Sequence, residues 1–481
     1  MSTALVWFRR DLRLTDNPAL QAALQHHRHV IPVFIADFEA EAPWQPGGAS
    51  RWWLHHSLAA LQRNLASRGS GLVIRHGDSL PVLQQLLRDS GATAVYWNRL
   101  YEPALVARDK GIKTALKEQG VEAESFNSAL WREPWELKTG GGDPYRVFTP
   151  FWRNLSSQLP PLTIDPAPER LPAPANPPAS LPLEALDLLP GIPWDQGFYA
   201  HWQPGEAGAF RALERFVDQG LDGYHTRRDL PAASASSRLS PHLHFGEIGP
   251  QQVRAAIERA SAGRAAIEGD AEHYLRELGW REFGHHLLFH FPHTPEQPMY
   301  ARFAAFPWRA PRDYAADLQA WQRGRTGIPI VDAGMSQLWQ SGWMHNRVRM
   351  IVASLLTKNL LIPWQEGARW FWDTLVDASL ANNTLGWQWA AGCGADAAPY
   401  FRIFNPVLQS EKFDPEGAYI RQWVPKLAAV PADVIHAPWT AKPARLAQAR
   451  LRLDHDYPLP VIELAASRDR ALAAYQELKA G

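Results

Sequence analysis

The sequence predicts an α/β domain built on a doubly wound parallel sheet, a long connector, and a larger all-helical domain. Three observations carry that expectation. Short Val- and Ile-rich runs alternate with amphipathic stretches through the first third. A Pro-rich tract then interrupts both patterns, and helical spacing resumes beyond it almost to the end. At 481 residues the chain is too long for one small core, so two or three domains are expected.

The strands come first. ALVWF (4–8), VIPVFIAD (30–37), GLVIRHGD (71–78) and AVYWN (94–98) read as buried strands. Between them, Asp16-Asn17-Pro18 has the form of a cap with Pro early in a helix. Ser50 opens a second helical stretch, RWWLHHSLAALQRNLASRG, which stops at Gly69. Ligands of such sheets sit beyond the strands' carboxyl ends. No G-x-G-x-x-G follows the first strand, which argues against a nicotinamide dinucleotide there. From about Leu159 to Pro204 the text is Pro-rich, extended linker chemistry. Beyond Gly205, runs such as GAFRALERFVDQGL and RMIVASLLTKNLL have helical spacing. The expected domains are therefore 1–130, a connector at 131–204, and 205–481.

Composition narrows the function. The 49 basic and 49 acidic side chains cancel, so the whole chain offers no long-range field for nucleic acid. A local anion surface is still open: Ala333 to Gln365 holds no acid but includes Arg347, Arg349 and Lys358. Solvated bases on an ordinary helix are the plainer alternative. A lone Cys393 excludes an internal disulfide and fits a reducing compartment. The N-terminus lacks the layout of a signal peptide, and no apolar run would span a bilayer. A cytoplasmic monomer is expected, with no metal site.

Tryptophan is the outlier, at 22 residues. Six of them fall within Gly342–Trp389, together with two adjacent Asn and an Asn-Arg pair. An ordinary core uses aliphatic residues that carry no polar atoms to satisfy. Trp343, Asn346, Arg347 and Met350 fall at i, i+3, i+4 and i+7, which predicts one helical face. Glu277, Trp280, Arg281 and Gly284 repeat that spacing on a second helix. Each face alone could be a half-buried Trp with a snorkelling Arg. Two of them, plus Trp387-Gln388-Trp389, suit a base taken out of a nucleic-acid stack, which offers a π face and a polar edge. Ser236-Ser237-Arg238-Leu239-Ser240, after Tyr224 and Arg228, has the hydroxyls and backbone N–H groups that grip phosphates. Helix capping is the ordinary role of such serines. Asp377 with Asn382 and Asn383 could set an acceptor and amides around a heterocycle edge, or simply form a loop.

Tyr224 with SSRLS (236–240), ELGWREF (277–283), GRTGIPIVDAGM (324–335), GWMHNRVRM (342–350), ANNTLGWQW (381–389) and APYFRIFNP (398–406) resemble the photolyase/cryptochrome flavoproteins. The opening VWFRRDLRLTDNPAL (6–20) resembles that family's antenna domain. Within the family the motifs are most similar to class I cyclobutane pyrimidine dimer photolyases.

The resemblance implies an α/β antenna domain and a helical FAD-binding domain. Tyr224, Ser236, Ser237, Arg238, Leu239 and Ser240 would hold the FAD diphosphate and ribityl chain. Asn346, Arg349 and Asp377 would contact flavin and adenine, with Arg349 and Asp377 paired and Asn383 beside the flavin N5. Tyr274 and Ser379 stand where relatives often carry Trp and an acid. Glu277 matches the carboxyl group on the dimer's base edge, and Trp280, Met350 and Trp389 match the pocket walls. Arg228 and Arg347 would lie near DNA phosphates, with Asn346 and Arg281 in the same DNA-contacting set. Trp387, Trp364 and Trp308 match the electron-hopping chain that photoreduces oxidised FAD, although the stretch from Trp308 to Trp321 is three residues longer than the family's usual spacing. The implied reaction is light-driven transfer of one electron from reduced FAD to a flipped-out dimer in UV-damaged DNA, followed by ring splitting and return of the electron. A second pigment, methenyltetrahydrofolate or a deazaflavin, is implied without a choice between them, because YEPALVARD (101–109) carries Ala104 and Leu105 where folate-binding relatives place Asn-Glu. Three other readings stand beside repair of cyclobutane dimers. A cryptochrome photoreceptor would use a long output tail after the helical domain. A six-four photolyase would carry paired His where this chain reads MHNR. A Trp-rich binding module would hold no flavin.

Overall fold

The computed structural model describes residues 2–396 and 401–480, so the start of the APYFRIFNP motif lies outside the described residues. The chain forms two compact units. The first comprises Met1–Asp222, Ser237–Pro292 and Val376–Ala381, and the second Gly223–Ser236, His293–Leu375 and Asn382–Gly481. These units cut across the boundary expected at 205.

The first unit holds a five-stranded parallel sheet: β1 Thr3–Phe8, β2 His29–Ala36, β3 Val73–His76, β4 Ala94–Asn98 and β5 Glu122–Phe126. Its order is β3-β2-β1-β4-β5, which places the topological switch between β1 and β4. Every residue of β1 is buried, and Trp7, Val33, Val95 and Trp97 share one core cluster. All four strands expected from the sequence are present. β5 is an addition to them, and only Ala123 of its five residues is buried. Glu122 and Glu124 give this edge strand the charges that discourage pairing with another chain.

Local chemistry sets the helix ends. Asn17 caps α1 (Pro18–His26) by accepting from the Leu20 N–H at 3.2 Å. α2 (Gly48–Ala66) begins two residues before the expected Ser50. Asp78 caps α3 (Ser79–Ser90), whose end is turned by Gly91 at φ 64°. α4 (Pro103–Glu118) carries Ala104 and Leu105 in its first turn. Within the expected connector, α5 (Phe148–Ser157) is a formed helix that packs against the Ala265–His290 helix. Between α5 and Gly205 the chain is mostly extended, with short 3-10 turns at Leu183–Leu186 and Phe198–Ala200, as the Pro content predicts.

The second unit is helical. Pro329–Ser341 ends at Gly342, which adopts φ 66°, and the next helix, Asn346–Ser354, starts behind the cap residue His345. Trp343 therefore sits in the turn between two helices and does not share a helical face with Asn346, Arg347 and Met350. The Gly342 stop signal overrides the i, i+3 spacing. Trp364–Thr374, Leu380–Ala391, Pro406–Phe413 and Leu464–Ala480 supply the other helices that matter for the site. Among the described residues no helix is long and apolar enough to cross a membrane, and no cluster of metal-ligating side chains occurs.

Candidate functional site

The first unit contributes the SSRLS loop from Ser237 onward and one face of the Ala265–His290 helix. Residues 237–239 are neither helix nor strand, Ser240 opens the short helix Ser240–His244, and Arg238 sits at φ 54°, in the left-handed region. The Leu239 N–H donates to the Ser237 hydroxyl at 3.3 Å, and Leu239 is buried while Ser240 is exposed. Ser237 also shares a hydrogen bond with the Tyr274 hydroxyl, so the loop is tied to the long helix. Burial raises the Tyr274 phenol's pKa, Ser237 opposes that and the nearby Glu277 adds to it, so Tyr274 stays a neutral hydroxyl. Phe216 lies against its ring at 4.4 Å between centroids. Asp377 and Ser379, also in this unit, are both buried.

One turn beyond Tyr274, Glu277 and Trp280 are half-buried. The Trp280 indole stacks on Phe148 of α5, with centroids 3.7 Å apart and planes within 9°. Arg281 turns elsewhere. Its guanidinium is largely buried, donates to the Ala129 carbonyl at 2.6 Å and sits beside Glu282 at 3.7 Å. Arg281 thus holds the 129 segment, and its place in the DNA-contacting set remains an expectation.

The second unit contributes Tyr224, Arg228 and the face of Asn346–Ser354. Tyr224 is buried beneath the Arg228 guanidinium, 5.6 Å from its ring. Arg347 pairs with Asp229 at 2.6 Å and lies 4.4 Å from the Phe413 ring. Asn346 is exposed, Met350 is half-buried, and the Arg349 Nε–H donates to the Met344 carbonyl at 2.8 Å. His345 is buried, and its Nδ1 accepts from the Arg347 N–H at 3.2 Å. Its other nitrogen faces the Arg228 carbonyl. Burial pushes the imidazole down to about 4, against the opposing pull of Asp229 and that carbonyl.

Beside Arg347 the second unit has an open groove of about 880 Å³, lined by Arg347, Arg402, Lys412 and Arg468, with Asp229 the one acid among the described residues of its wall. The charge count of the sequence hides this groove, because its bases come from segments over a hundred residues apart.

On Leu380–Ala391 the Asn383 amide donates to the Ala368 carbonyl at 2.9 Å, which fixes the direction of the amide. Trp387 is buried, with Phe371 at 5.0 Å and Trp321 at 6.1 Å between centroids. It lies directly on the backbone of Trp364–Thr374 at Gly367, where a Cβ would fall 2.0 Å from the indole Cη2. Gly367 is one turn after the buried Trp364, on the same helical face. Trp308 is half-buried in a loop, 4.5 Å from Phe306. Trp389 is half-buried with Phe404 at 6.3 Å. Phe148, Gly367 and the groove bases Arg402, Lys412 and Arg468 are outside the set expected from the sequence. The FTPFW aromatic spacing at 148–152 is the one usable signal for the first.

In the first unit the donor chemistry suits an FAD: serine hydroxyls and backbone N–H groups for a diphosphate on a non-helical loop. The Asn383 amide on the second unit suits the polar edge of a flavin ring. Comparison with known proteins agrees. Residues 4–175 match the model of the DNA photolyase family, and residues 274–477 match the FAD binding domain of DNA photolyase. The deoxyribodipyrimidine photo-lyase of Agrobacterium fabrum is 50% identical over 477 residues, 99% of this chain and 98% of that protein. A crystal structure described as a bacterial class III photolyase from Agrobacterium tumefaciens superposes with TM-score 0.96 at 48% identity, covering 100% of this chain and 98% of that one. Cryptochrome-2 of Arabidopsis thaliana is 39% identical, over 97% of this chain and 77% of that protein. The chain belongs to the photolyase/cryptochrome family of FAD flavoproteins. Within it, both matched models are those of the DNA photolyases, and the chain is a photo-lyase of that type. The class I kinship expected from the motifs is not the class given for the Agrobacterium structure.

Proposed function

We propose that the chain splits cyclobutane pyrimidine dimers in UV-damaged DNA with light, as a photolyase of the class III kind. The observation that carries this is the groove beside Arg347. In a chain of no net charge, four bases and one acid among the described residues line a single groove, a local anion surface suited to a DNA backbone. The 48% identity to the class III structure supports the class.

Bound FAD supplies light absorption and a one-electron donor. Tyr224, Ser236, Ser237, Arg238, Leu239, Ser240, Tyr274, Asn346, Arg349, Asp377, Ser379 and Asn383 are the residues that would hold it. Asn383 brings an amide whose direction the Ala368 carbonyl already sets, which removes the cost of reorienting that dipole when charge develops nearby. Glu277, Trp280, Asn346, Met350 and Trp389 would take the extruded dimer, and Arg228 and Arg347 the flanking phosphates. Trp387, Trp364 and Trp308 would relay electrons inward from the surface. The MHNR run at 344–347, where a six-four photolyase would carry paired His, favours a cyclobutane substrate over the six-four photoproduct.

The test is direct. Reduce the purified protein, add oligonucleotides carrying either photoproduct, and illuminate. Restored thymines from the cyclobutane substrate alone support the reading. Failure on it with reduced flavin present would sink the claim and favour the photoreceptor alternative that the Arabidopsis relative keeps open.

A further inference from the structure

We propose that Phe148 is a positioning residue for lesion recognition, fixing the plane of the Trp280 indole on which a flipped-out pyrimidine is to stack. This rests on the reading of Trp280 as a wall of the dimer pocket. The two rings lie face to face at 3.7 Å and 9°, so Phe148 lies flat against one face of the indole. Aromatic pairs left to themselves prefer offset or edge-on packing, so their surroundings must impose this arrangement.

The neighbours of Phe148 are placed to do so. Phe148 is 1% exposed and cannot swing aside. Phe283 meets its ring edge-on at 5.8 Å, the Arg276 guanidinium lies 5.3 Å from its centroid, and Trp152, one turn along α5, stacks at 6.4 Å. Trp152 comes so close because residue 279 is glycine: a Cβ there would fall 2.4 Å from the Trp152 ring. α5 thus presses two rings onto the long helix at Gly279 and Trp280. The half-buried indole keeps part of its surface uncovered.

A preset plane matters because stacking needs parallel alignment, and a rotating indole would lose entropy on each binding event. Trp280 would then be ordered before the DNA arrives.

The test is a double-mutant cycle on the FAD-loaded protein, using W280L, F148L and the pair, with binding measured to DNA with and without a cyclobutane dimer. We expect F148L to weaken dimer binding roughly tenfold, the low end of what stacking one base is worth. Affinity for undamaged DNA and FAD content should hold, and repair per absorbed photon at saturating DNA should stay near that of the parent. In the W280L background F148L should add nothing. If W280L weakens dimer binding but F148L does not, or if the two effects add, the proposal is wrong while the pocket reading stands. If W280L itself leaves dimer binding unchanged, the reading of Trp280 falls and the proposal with it. Should F148L shed FAD, Phe148→Met, which fills space without a flat face, carries the same comparison.

Discussion

Replacing Gly367 by alanine should uncouple photoreduction from repair. The helix Trp364–Thr374 tolerates alanine by propensity, and that substitution in an open helix would be mildly stabilising. Here the added Cβ would lie 2.0 Å from Cη2, 2.4 Å from Cζ3 and 2.6 Å from Cζ2 of Trp387. Ordinary contact begins at 3.4 Å, so the indole must retreat by the difference, 1.4 Å at its nearest atom. Phe371 at 5.0 Å and Trp321 at 6.1 Å box it in, so the ring must tilt or the helices must part. Overpacking of this kind costs about 1–3 kcal/mol, which a chain of this size should survive with its fold intact. Function is more sensitive, since misplacing a reacting group by about 1 Å can cost on the order of 100-fold. Photoreduction of oxidised FAD with an external donor, followed by absorbance, should slow by about tenfold or more. Repair by enzyme reduced chemically beforehand should continue near the parental rate, because electrons then need not pass Trp387. Trp387→Phe provides the reference. If Trp387→Phe blocks photoreduction but Gly367→Ala does not, the steric argument is refuted. If Trp387→Phe photoreduces normally, Trp387 is not in the relay at all.

The same geometry sets three further outcomes. Glu277→Ala should lower the repair yield while FAD is retained, and loss of flavin on purification would instead make Glu277 a structural residue. Arg402→Ala and Lys412→Ala should each weaken DNA binding and reduce the slope of log affinity against log salt by about 0.9 for each phosphate no longer neutralised, with an unchanged slope placing these bases off the DNA path. The pH dependence of stability should carry the signature of His345. Its folded value is pushed below the ordinary 6.5 to about 4, so the unfolded chain takes up a proton that the folded one refuses as pH falls through that window. Stability is unaffected above 6.5 and drops by about 1.4 kcal/mol per unit below it, or about 2 kcal/mol between about pH 7 and 4.5. His345→Asn keeps a capping side chain and should lose that part of the drop in denaturation midpoints. Identical profiles for the two proteins would count against a buried neutral imidazole.

The legible parts of the sequence are those governed by burial over short distances. β1, β2 and β4 are readable because a strand buried on both faces is largely apolar, β3 because Val73 and Ile74 are buried before the chain turns polar at Arg75, and the Asn17 cap because one side chain and one N–H suffice. β5 escapes because an edge strand is chosen partly against pairing, so its charges hide it. Trp343 falls off its expected face because helical spacing does not carry through Gly342, which ends the helix by adopting φ 66°. The partner of Arg281 is not legible either, because periodicity names a face but not the neighbour, and the Ala129 carbonyl lies 152 residues away.

The same limit explains why Gly367 is invisible in the sequence and Phe148 shows only through the FTPFW spacing, while Trp280 and Trp387 stand out. The chemistry of an indole announces itself, because its residue type is costly in an ordinary core. The atoms that fix its plane are an ordinary phenylalanine and an absent methyl group, and neither means anything until the helix it faces is known. Each unit carries such a support of its own: α5 behind Trp280 in the first, and the bare backbone at Gly367 under Trp387 in the second. On the roles proposed for Trp280 and Trp387, lesion stacking and electron relay should be open to separate damage without touching either indole. A variant at Phe148 should bind dimer-bearing DNA less tightly with its photoreduction intact, and a variant at Gly367 should photoreduce more slowly with its DNA binding intact. Loss of both activities from either change would mean that the two supports are a single element, and the separation argued from their packing would have to be abandoned.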